Sequence, residues 1–420
     1  MPRPRDGAHP GRKGALSLVG RTAGPRASAV SRGTRCLAMV YLDHAATSPL
    51  RPDCLEALIG AERGGWGNPS SPHAAGRRSR AIVEEARREV AELIGADPAQ
   101  VVFTGGATEA NNLAVLGTAR VRPGRHIVLS AVEHHSVLEP CRHLGRDGWQ
   151  VTEVLPGPDG VLDAGAIIGA LRQDTVLCCL MLANNEVGAL EPVVEVGQAC
   201  RARGLPLLVD AVAAAGKVPV DVRTLGAHLV TLSPHKFGGP RGIGALWVHP
   251  DLELGPLLHG GGQERRWRPG TENVGAIAAA GVACRLARRE LGWAGPLLAR
   301  RAARLGQLVE QADLGAIPTG PASAVQRVPG LVSFAFPGLD GDALLAALDL
   351  RGVAAGSGAA CSSGSRQSSH VLAAMGLAPA ACRAALRFSL GTETGEDALE
   401  VAVGALEAAV RCQRASAGGG

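Results

Sequence analysis

Between residues 78 and 95 the stretch "RSRAIVEEARREVAELIG" sets Ile82, Ala86, Val90 and Leu93 at helical spacing, which predicts an amphipathic helix with one buried face. From there to about residue 250 short apolar runs recur: "VVF" (101–103), "HIVLS" (126–130), "TVLCCLML" (175–182), "PLLV" (206–209), "HLVTL" (228–232) and "GALWV" (244–248). Runs of this length, rich in Val, Leu and Ile, read as strands buried on both faces. Their alternation with helical segments predicts an α/β fold with a mostly parallel central sheet covered by helices. Asp163 reads as a helix N-cap, and Pro192 stands where a first-turn proline is tolerated. The stretch "LGWAGPLL" (291–298) reads as a linker or a helix break. Beyond it lie a helical pattern over about 297–313 and the strand-like runs "LVSFAF" (331–336) and "AALRFSL" (384–390). A smaller α+β domain is therefore expected, joined by an N-terminal strand near residues 39–47.

Composition narrows the class. A chain of 420 residues with 46% hydrophobic content can fill a sizeable core, while its apolar runs are too short for a membrane span, so no membrane association is expected. The net charge of +5 is concentrated at the start, where residues 1–38 hold eight Lys/Arg and one acid. The rest of the chain is near −2, which speaks against a nucleic-acid-binding face. The tail lacks the apolar core of a secretory signal. It is read as a disordered or upstream-start extension of a cytoplasmic protein in preference to an organellar targeting segment, because Met39 directly precedes the first strand-like run. The ten cysteines show no CxxC spacing, so no resident metal site is expected and most thiols should be small buried hydrophobes.

Candidate chemistry sits after the strands. "TGGATEANN", "AVEHHS", "ANNE", "DAVA" and "SPHK" each follow an apolar run, and ligands of open parallel sheets bind beyond the carboxyl ends of the strands. Two glycines before Ala107 and Thr108 would leave backbone N–H groups open at a helix N-terminus, a phosphate site. The loop is neither a Walker A sequence nor GxGxxG, so nucleotide readings lose ground. Lys236, a phosphate loop and Asp210 ending another strand together suggest pyridoxal phosphate. Lys236 would form the imine, Asp210 would keep the pyridine nitrogen protonated, and Thr108, Ser233 and His235 would hold the phosphate. His134, His135 and His235 also admit a metal reading, set aside because His134 and His235 serve better as cofactor contacts and His135 as a loop residue.

Over residues 40–410 the ordered motifs "YLDHAAT", "GNPSSPH", "FTGGATEANN", "EHHSV", "ANNEVG", "VDA", "SPHKFGGPRGIGAL", "GGGQERRWRPGTENV", "AACSSGS" and "LRFSLG" resemble the pyridoxal-phosphate cysteine desulfurases of the nitrogen-fixation and iron–sulfur assembly type, within the class V aminotransferase superfamily. The resemblance implies fold type I of the pyridoxal-phosphate transferases, with a large cofactor-binding domain (53–290) and a small domain (39–52 with 291–420) carrying the catalytic cysteine loop. It implies Lys236 as the Schiff-base lysine, Asp210 as partner of the pyridine nitrogen and His134 as the imidazole stacked on the ring. Asn185 would touch the ring's phenolic oxygen and the substrate carboxylate, and Arg387 would anchor that carboxylate. Thr271 would reach a phosphate in the neighbouring subunit, making a homodimer with shared sites. Where the family reads Asp-Ala-x-Gln, this chain has "DAVA", so Ala213 lacks one hydrogen bond to the cofactor.

Cys361, in the Gly-, Ala- and Ser-rich "GSGAACSSGS", takes its role from the same resemblance. It would attack the sulfur of L-cysteine, hold it as a persulfide while L-alanine departs, and pass it to an acceptor or scaffold protein, with Cys361 a candidate transient iron–sulfur ligand. Small flexible neighbours suit a thiol that must reach inward and then outward. The alternative within the cofactor class is a selenocysteine lyase or a related class V enzyme; a non-catalytic scaffold has only Ala213 in its favour.

Overall fold

The computed structural model describes residues 39–357 and 368–417. Seven strands form the larger sheet: β2 (Val101–Thr104), β3 (His126–Ser130), β4 (Gln150–Val154), β5 (Thr175–Cys179), β6 (Leu207–Asp210), β7 (Leu229–Leu232) and β8 (Gly244–Val248). Five form the smaller: β1 (Val40–Leu42), β9 (Ile317–Thr319), β10 (Leu331–Ala335), β11 (Val353–Ser357) and β12 (Ala385–Ser389). The helices in chain order are α1 (Pro52–Gly64), α2 (Ala74–Leu93), α3 (Ala107–Val121), α4 (His135–Arg146), α5 (Ala164–Ala170), α6 (Val193–Ala202), α7 (Val222–Leu225), α8 (Val274–Gln311), α9 (Gly341–Asp349), α10 (His370–Ala374), α11 (Pro379–Arg383) and α12 (Glu396–Ala417).

The larger sheet runs β2-β8-β7-β6-β5-β3-β4. The β3–β4, β3–β5, β5–β6 and β6–β7 pairs are parallel, and only β8 runs against its neighbours. The connection from β7 to β8 carries a short 3-10 turn in place of a crossover helix, and without a crossover the chain returns antiparallel. Alternate residues enter opposite cores: Val128, Cys178 and Val209 meet the cluster containing Val83, Val90 and Ile277, whereas Ile127, Leu129 and Leu208 meet Leu113, Val137 and Leu138. Both faces are thus covered, which is why these strands read as unbroken apolar runs. Asp163 caps α5 by accepting from Gly165 N–H and Ala166 N–H.

The smaller sheet runs β1-β11-β12-β10-β9, with β1 parallel to β11. The expected break at 291–298 is absent: α8 passes unbroken through Pro296. An internal proline costs roughly 3 kcal/mol. Leu298, Leu305 and Val309 just beyond it are buried against the smaller sheet, at about 1.5–3 kcal/mol each, which outweighs the lost helix bond. Two further differences concern α4 and β5. His135, expected in a loop, is the first residue of α4, and β5 stops at Cys179 instead of running to residue 182. No described helix is long and apolar enough to cross a membrane. The eight described cysteines are free, and all but Cys412 are buried.

Candidate active site

A pocket of about 510 Å³ opens at the carboxyl ends of the larger sheet. The end expected to take a phosphate is built by the turn from β2 into α3. Gly106 caps the helix at φ 156°, and a Cβ there would meet nothing within 4 Å, so the approach to the first-turn N–H groups of Ala107 and Thr108 is clear. Those groups have no intrahelical acceptor. Ser233, buried at the end of β7, and His235 line the same wall. His235 shares a hydrogen bond with Thr47 Oγ1 at 3.1 Å, and burial reinforced by Lys236 and Arg241 pushes its pKa down to about 4, so it is a neutral donor at physiological pH.

Asp210 ends β6 and is nearly fully buried, with each carboxylate oxygen held. Asn111 Nδ2 donates to Oδ2 at 2.8 Å, and the Val212 N–H donates to Oδ1 at 2.9 Å. Asn111 also donates to Ser136 Oγ at 2.9 Å. The Ser136 N–H in turn donates to His134 Nδ1 at 3.1 Å. Because Nδ1 accepts, the neutral imidazole carries its proton on Nε2. Burial lowers the His134 pKa, with Asp210 opposing, which favours that neutral form.

Lys236 lies in the 3-10 turn Pro234–Phe237 that follows β7. Its Nζ donates to the Ala45 carbonyl at 2.6 Å and the Ala46 carbonyl at 2.9 Å, both in the loop that follows β1. Ser48 Oγ donates back to the Lys236 carbonyl at 3.0 Å. Ala45 and Ala46 therefore complete the lysine's setting, although they lie almost two hundred positions away.

Arg387 is on β12 and only 2% exposed. Nη1 donates to the Asn185 carbonyl at 2.9 Å and Nη2 to Asp43 Oδ1 at 2.7 Å, while Nε has no partner. A guanidinium with free donors facing a pocket suits a carboxylate. On the role that the sequence resemblance implies for Arg387, lysine in its place removes the planar fork, so Arg387→Lys is expected to raise KM for an amino-acid substrate roughly tenfold to a hundredfold, from about 1.5–3 kcal/mol of lost charge-assisted bonding. Steady-state kinetics with intact cofactor absorption checks this, and a KM within twofold of the wild type would contradict it.

The pocket thus brings together Ala107, Thr108, His134, Asn185, Asp210, Ser233, His235, Lys236 and Arg387, with Ala213 beside Asp210. Thr271 is exposed and lies outside it. Cys361 falls outside the described residues. Sequence reasoning assigned no role to Asn111, Ser136, Asp43 or Arg241; each lies inside a quoted motif, but only the folded contacts show what it holds. It also passed over Lys217, which lines an adjoining cavity of about 340 Å³ together with Lys236. Lys217 is half-buried by surface area yet deep among protein atoms, and desolvation, then Lys236 and Arg387, push its pKa down to about 8.

Beneath the pocket, Glu133 accepts from Ser130 Oγ and the Met181 N–H, both at 2.7 Å, and its Oε2 has no partner. Desolvation pushes its pKa from 4.5 up to about 8. Between those values the folded chain keeps a proton that the unfolded chain has released, so stability falls as pH rises, by up to about 1.4 kcal/mol per pH unit. Glu133→Gln keeps the acceptor and stays neutral. Thermal unfolding at pH 6 and pH 8 is expected to show a smaller drop in Tm for the variant than for the wild type; an equal drop would sink this assignment.

The aminotransferase class-V family profile matches residues 40–401. The cysteine desulfurase IscS of Dictyoglomus turgidum is 40% identical over 377 residues, spanning 88% of this chain and 93% of that protein. Among solved structures, a NifS-like protein superposes with a TM-score of 0.83 at 31% identity, covering 89% of this chain and 100% of the other. Another, SspA in complex with cysteine, gives a TM-score of 0.73 at 30% identity over 83% of this chain and 98% of its own.

Proposed function

The chain belongs to the aminotransferase class-V family, among its cysteine desulfurases, and on that premise we propose that the Lys236 pocket and Cys361 together remove sulfur from L-cysteine. The protein is a pyridoxal-phosphate-dependent cysteine desulfurase. The observation that carries the residue assignments is the convergence of the Lys236 amine, the buried Asp210 carboxylate and the Arg387 guanidinium on one pocket.

The residues present fit the cofactor. The α3 N-terminus with Thr108, Ser233 and His235 would hold the phosphate, Asp210 would hold the ring nitrogen in its protonated form, and His134 would cover the ring. Pyridoxal phosphate supplies an electron-accepting ring that stabilises negative charge at the substrate's α-carbon. Arg387 binds the substrate carboxylate and Asn185 lies beside it, which fixes the α-proton toward the Lys236 amine. Lys236 takes that proton and returns one to carbon, its side chain aimed by the Ala45 and Ala46 carbonyls.

The Cys361 thiolate then attacks the substrate's sulfur. A sulfur–sulfur bond forms, the carbon–sulfur bond breaks with its electron pair passing to carbon, and a proton completes L-alanine. In sum, L-cysteine plus the enzyme thiol yield L-alanine plus the enzyme persulfide; carbon is reduced by two electrons and the sulfur pair oxidised by two. Ala213 leaves the cofactor short of one donor, worth on the order of 1 kcal/mol, which alters its spectrum before it alters its binding.

The fuller reading is a cytoplasmic homodimer of two-domain subunits, with 53–290 as the cofactor domain, that hands persulfide sulfur to an acceptor or iron–sulfur scaffold protein. Exposed Thr271 supports the shared site. Giving L-cysteine to the cofactor-loaded enzyme and measuring alanine and protein persulfide in a single turnover tests the activity. Equal amounts of both are expected. Alanine without persulfide, or turnover of selenocysteine with none of cysteine, would overturn it.

A further inference from the structure

The segment that contains Cys361 is flanked by Gly356, which packs against the Arg387 guanidinium, and by Ser369, which bonds the residue next to the Arg387 partner Asn185. At one end, Gly356 on β11 is the register partner of Arg387 across to β12. It lies so close that a Cβ there would come within 2.6 Å of Asp43 Oδ1 and 2.7 Å of Arg387 Nη2. At the other end, Ser369 caps α10, and its Oγ donates to Glu186 Oε2 at 2.5 Å while accepting from the Leu372 N–H at 3.1 Å. Glu186 and Ser369 are both buried, at 5% and 2% exposed, so this contact is shielded from water and is worth more than a surface bond.

Glu186 directly follows Asn185, whose carbonyl holds Arg387 Nη1 at 2.9 Å. The same loop is wound on Asn184, which accepts from the Glu186 N–H at 2.8 Å and the Val187 N–H at 3.0 Å, and donates to the Val132 carbonyl at 3.1 Å. One residue beyond Ser369, His370 Nε2 bonds the Glu133 carbonyl at 2.9 Å, next to His134. The chain leaving the cysteine segment is therefore pinned to the two loops that carry Asn185 and His134. None of Glu186, Ser369 and His370 lines the pocket, so direct contact with substrate does not account for them.

We propose that the Glu186–Ser369 pair is the positioning element for sulfur transfer, registering the chain that follows Cys361 on the loop whose Asn185 carbonyl holds Arg387. The carboxylate anchor Arg387 and Ser369, the described residue downstream of the cysteine, then belong to one connected network. The physical demand is strict, because a misplacement of about 1 Å between reacting atoms costs on the order of a hundredfold in rate. This proposal rests on Arg387 being the carboxylate anchor and Cys361 the acceptor thiol.

The test uses the cofactor-loaded full chain and L-alanine, an amino acid with the same carboxylate and no sulfur to transfer. The rate of Cys361 alkylation by iodoacetamide is followed by mass spectrometry with and without L-alanine. In the wild type L-alanine is expected to change that rate about fivefold, the lower end of typical coupling between sites. In Glu186→Gln and Ser369→Ala the response is lost while L-alanine binding, read from the cofactor's absorption, is kept; Ser369→Thr, which retains the hydroxyl, restores it. With L-cysteine the two variants lower kcat about tenfold with KM unchanged, the signature of a loss felt only in the transition state.

A wild type with no response, variants that respond like the wild type, or variants that lose L-alanine binding would each overturn the proposal. Alkylation requires no sulfur transfer, so a failure of the desulfurase reading, seen as absent alanine production by the wild type, is distinct from a failure of this pair.

Discussion

Lys236→Ala is expected to lower kcat/KM for L-cysteine roughly 10⁴-fold, about 5.5 kcal/mol of transition-state stabilisation. The amine acts twice in the proposed reaction, as covalent anchor of the cofactor and as carrier of the α-proton, and nothing nearby replaces it. Lys217 is the nearest candidate, but it lines the adjoining cavity and not the pocket that holds Asp210 and Arg387. Structure should survive the change, since Nζ bonds the Ala45 and Ala46 carbonyls, which face the pocket where water can take its place. Lys236→Arg is the sharper variant: it keeps positive charge at the site but does not release a proton near neutral pH, so it should be as inactive as alanine. Alanine release gives the rate, and the cofactor's visible band shows whether the covalent link is lost. Activity of either variant within tenfold of the wild type would remove Lys236 from its role.

The second large effect is expected from Cys361→Ala. Alanine formation from L-cysteine should fall about 10³-fold and protein persulfide should vanish, because the nucleophile that accepts sulfur is gone. Substrate binding, read from the cofactor's absorption, should persist, since Arg387, Asn185 and Lys236 are untouched. No other described cysteine is placed to substitute: seven are buried, and Cys412, the exposed one, lies near the end of α12. Burial also pushes the Cys54 thiol up to about 11 and the fully buried Cys284 thiol higher still, so neither is a thiolate at neutral pH. Cys412→Ser serves as the control and should keep full activity. If Cys361→Ala retains full desulfurase activity with ordinary thiol acceptors, the nucleophile is elsewhere.

Much of the larger sheet was legible because its strands are buried on both faces, which leaves continuous apolar runs such as "HIVLS" and "GALWV". The strands that sequence reasoning missed lack that signal. β4 is an edge strand with exposed Gln150 and Glu153, β9 is three residues long with a central proline, and β11 is "VAAGS", too small in side chain to announce itself. The break expected at Pro296 failed for the opposite reason: a local penalty was read correctly but was outweighed by burial of distant partners on the smaller sheet. At the site, the polar clusters after the strands pointed to Asp210 and Lys236, and the family resemblance added Asn185 and His134. They did not name Asn111, which aims Asp210, or Asp43, which holds Arg387 across 344 positions of chain.

The sequence by itself determined the chemistry available to this protein: an amine, a carboxylate and an imidazole in polar clusters after apolar runs, and a guanidinium inside one, all in an ordered motif set. Those are local properties, carried by residue type and by the period of the hydrophobic pattern. Only the tertiary structure decided which hydrogen bond orients each group, that Lys236 is held by the Ala45 and Ala46 carbonyls, and that Ser369 is tied through Glu186 to the loop beneath Arg387. Such contacts join segments far apart in the chain, and a buried polar group must find its partner wherever the packing brings one, so no local pattern encodes them.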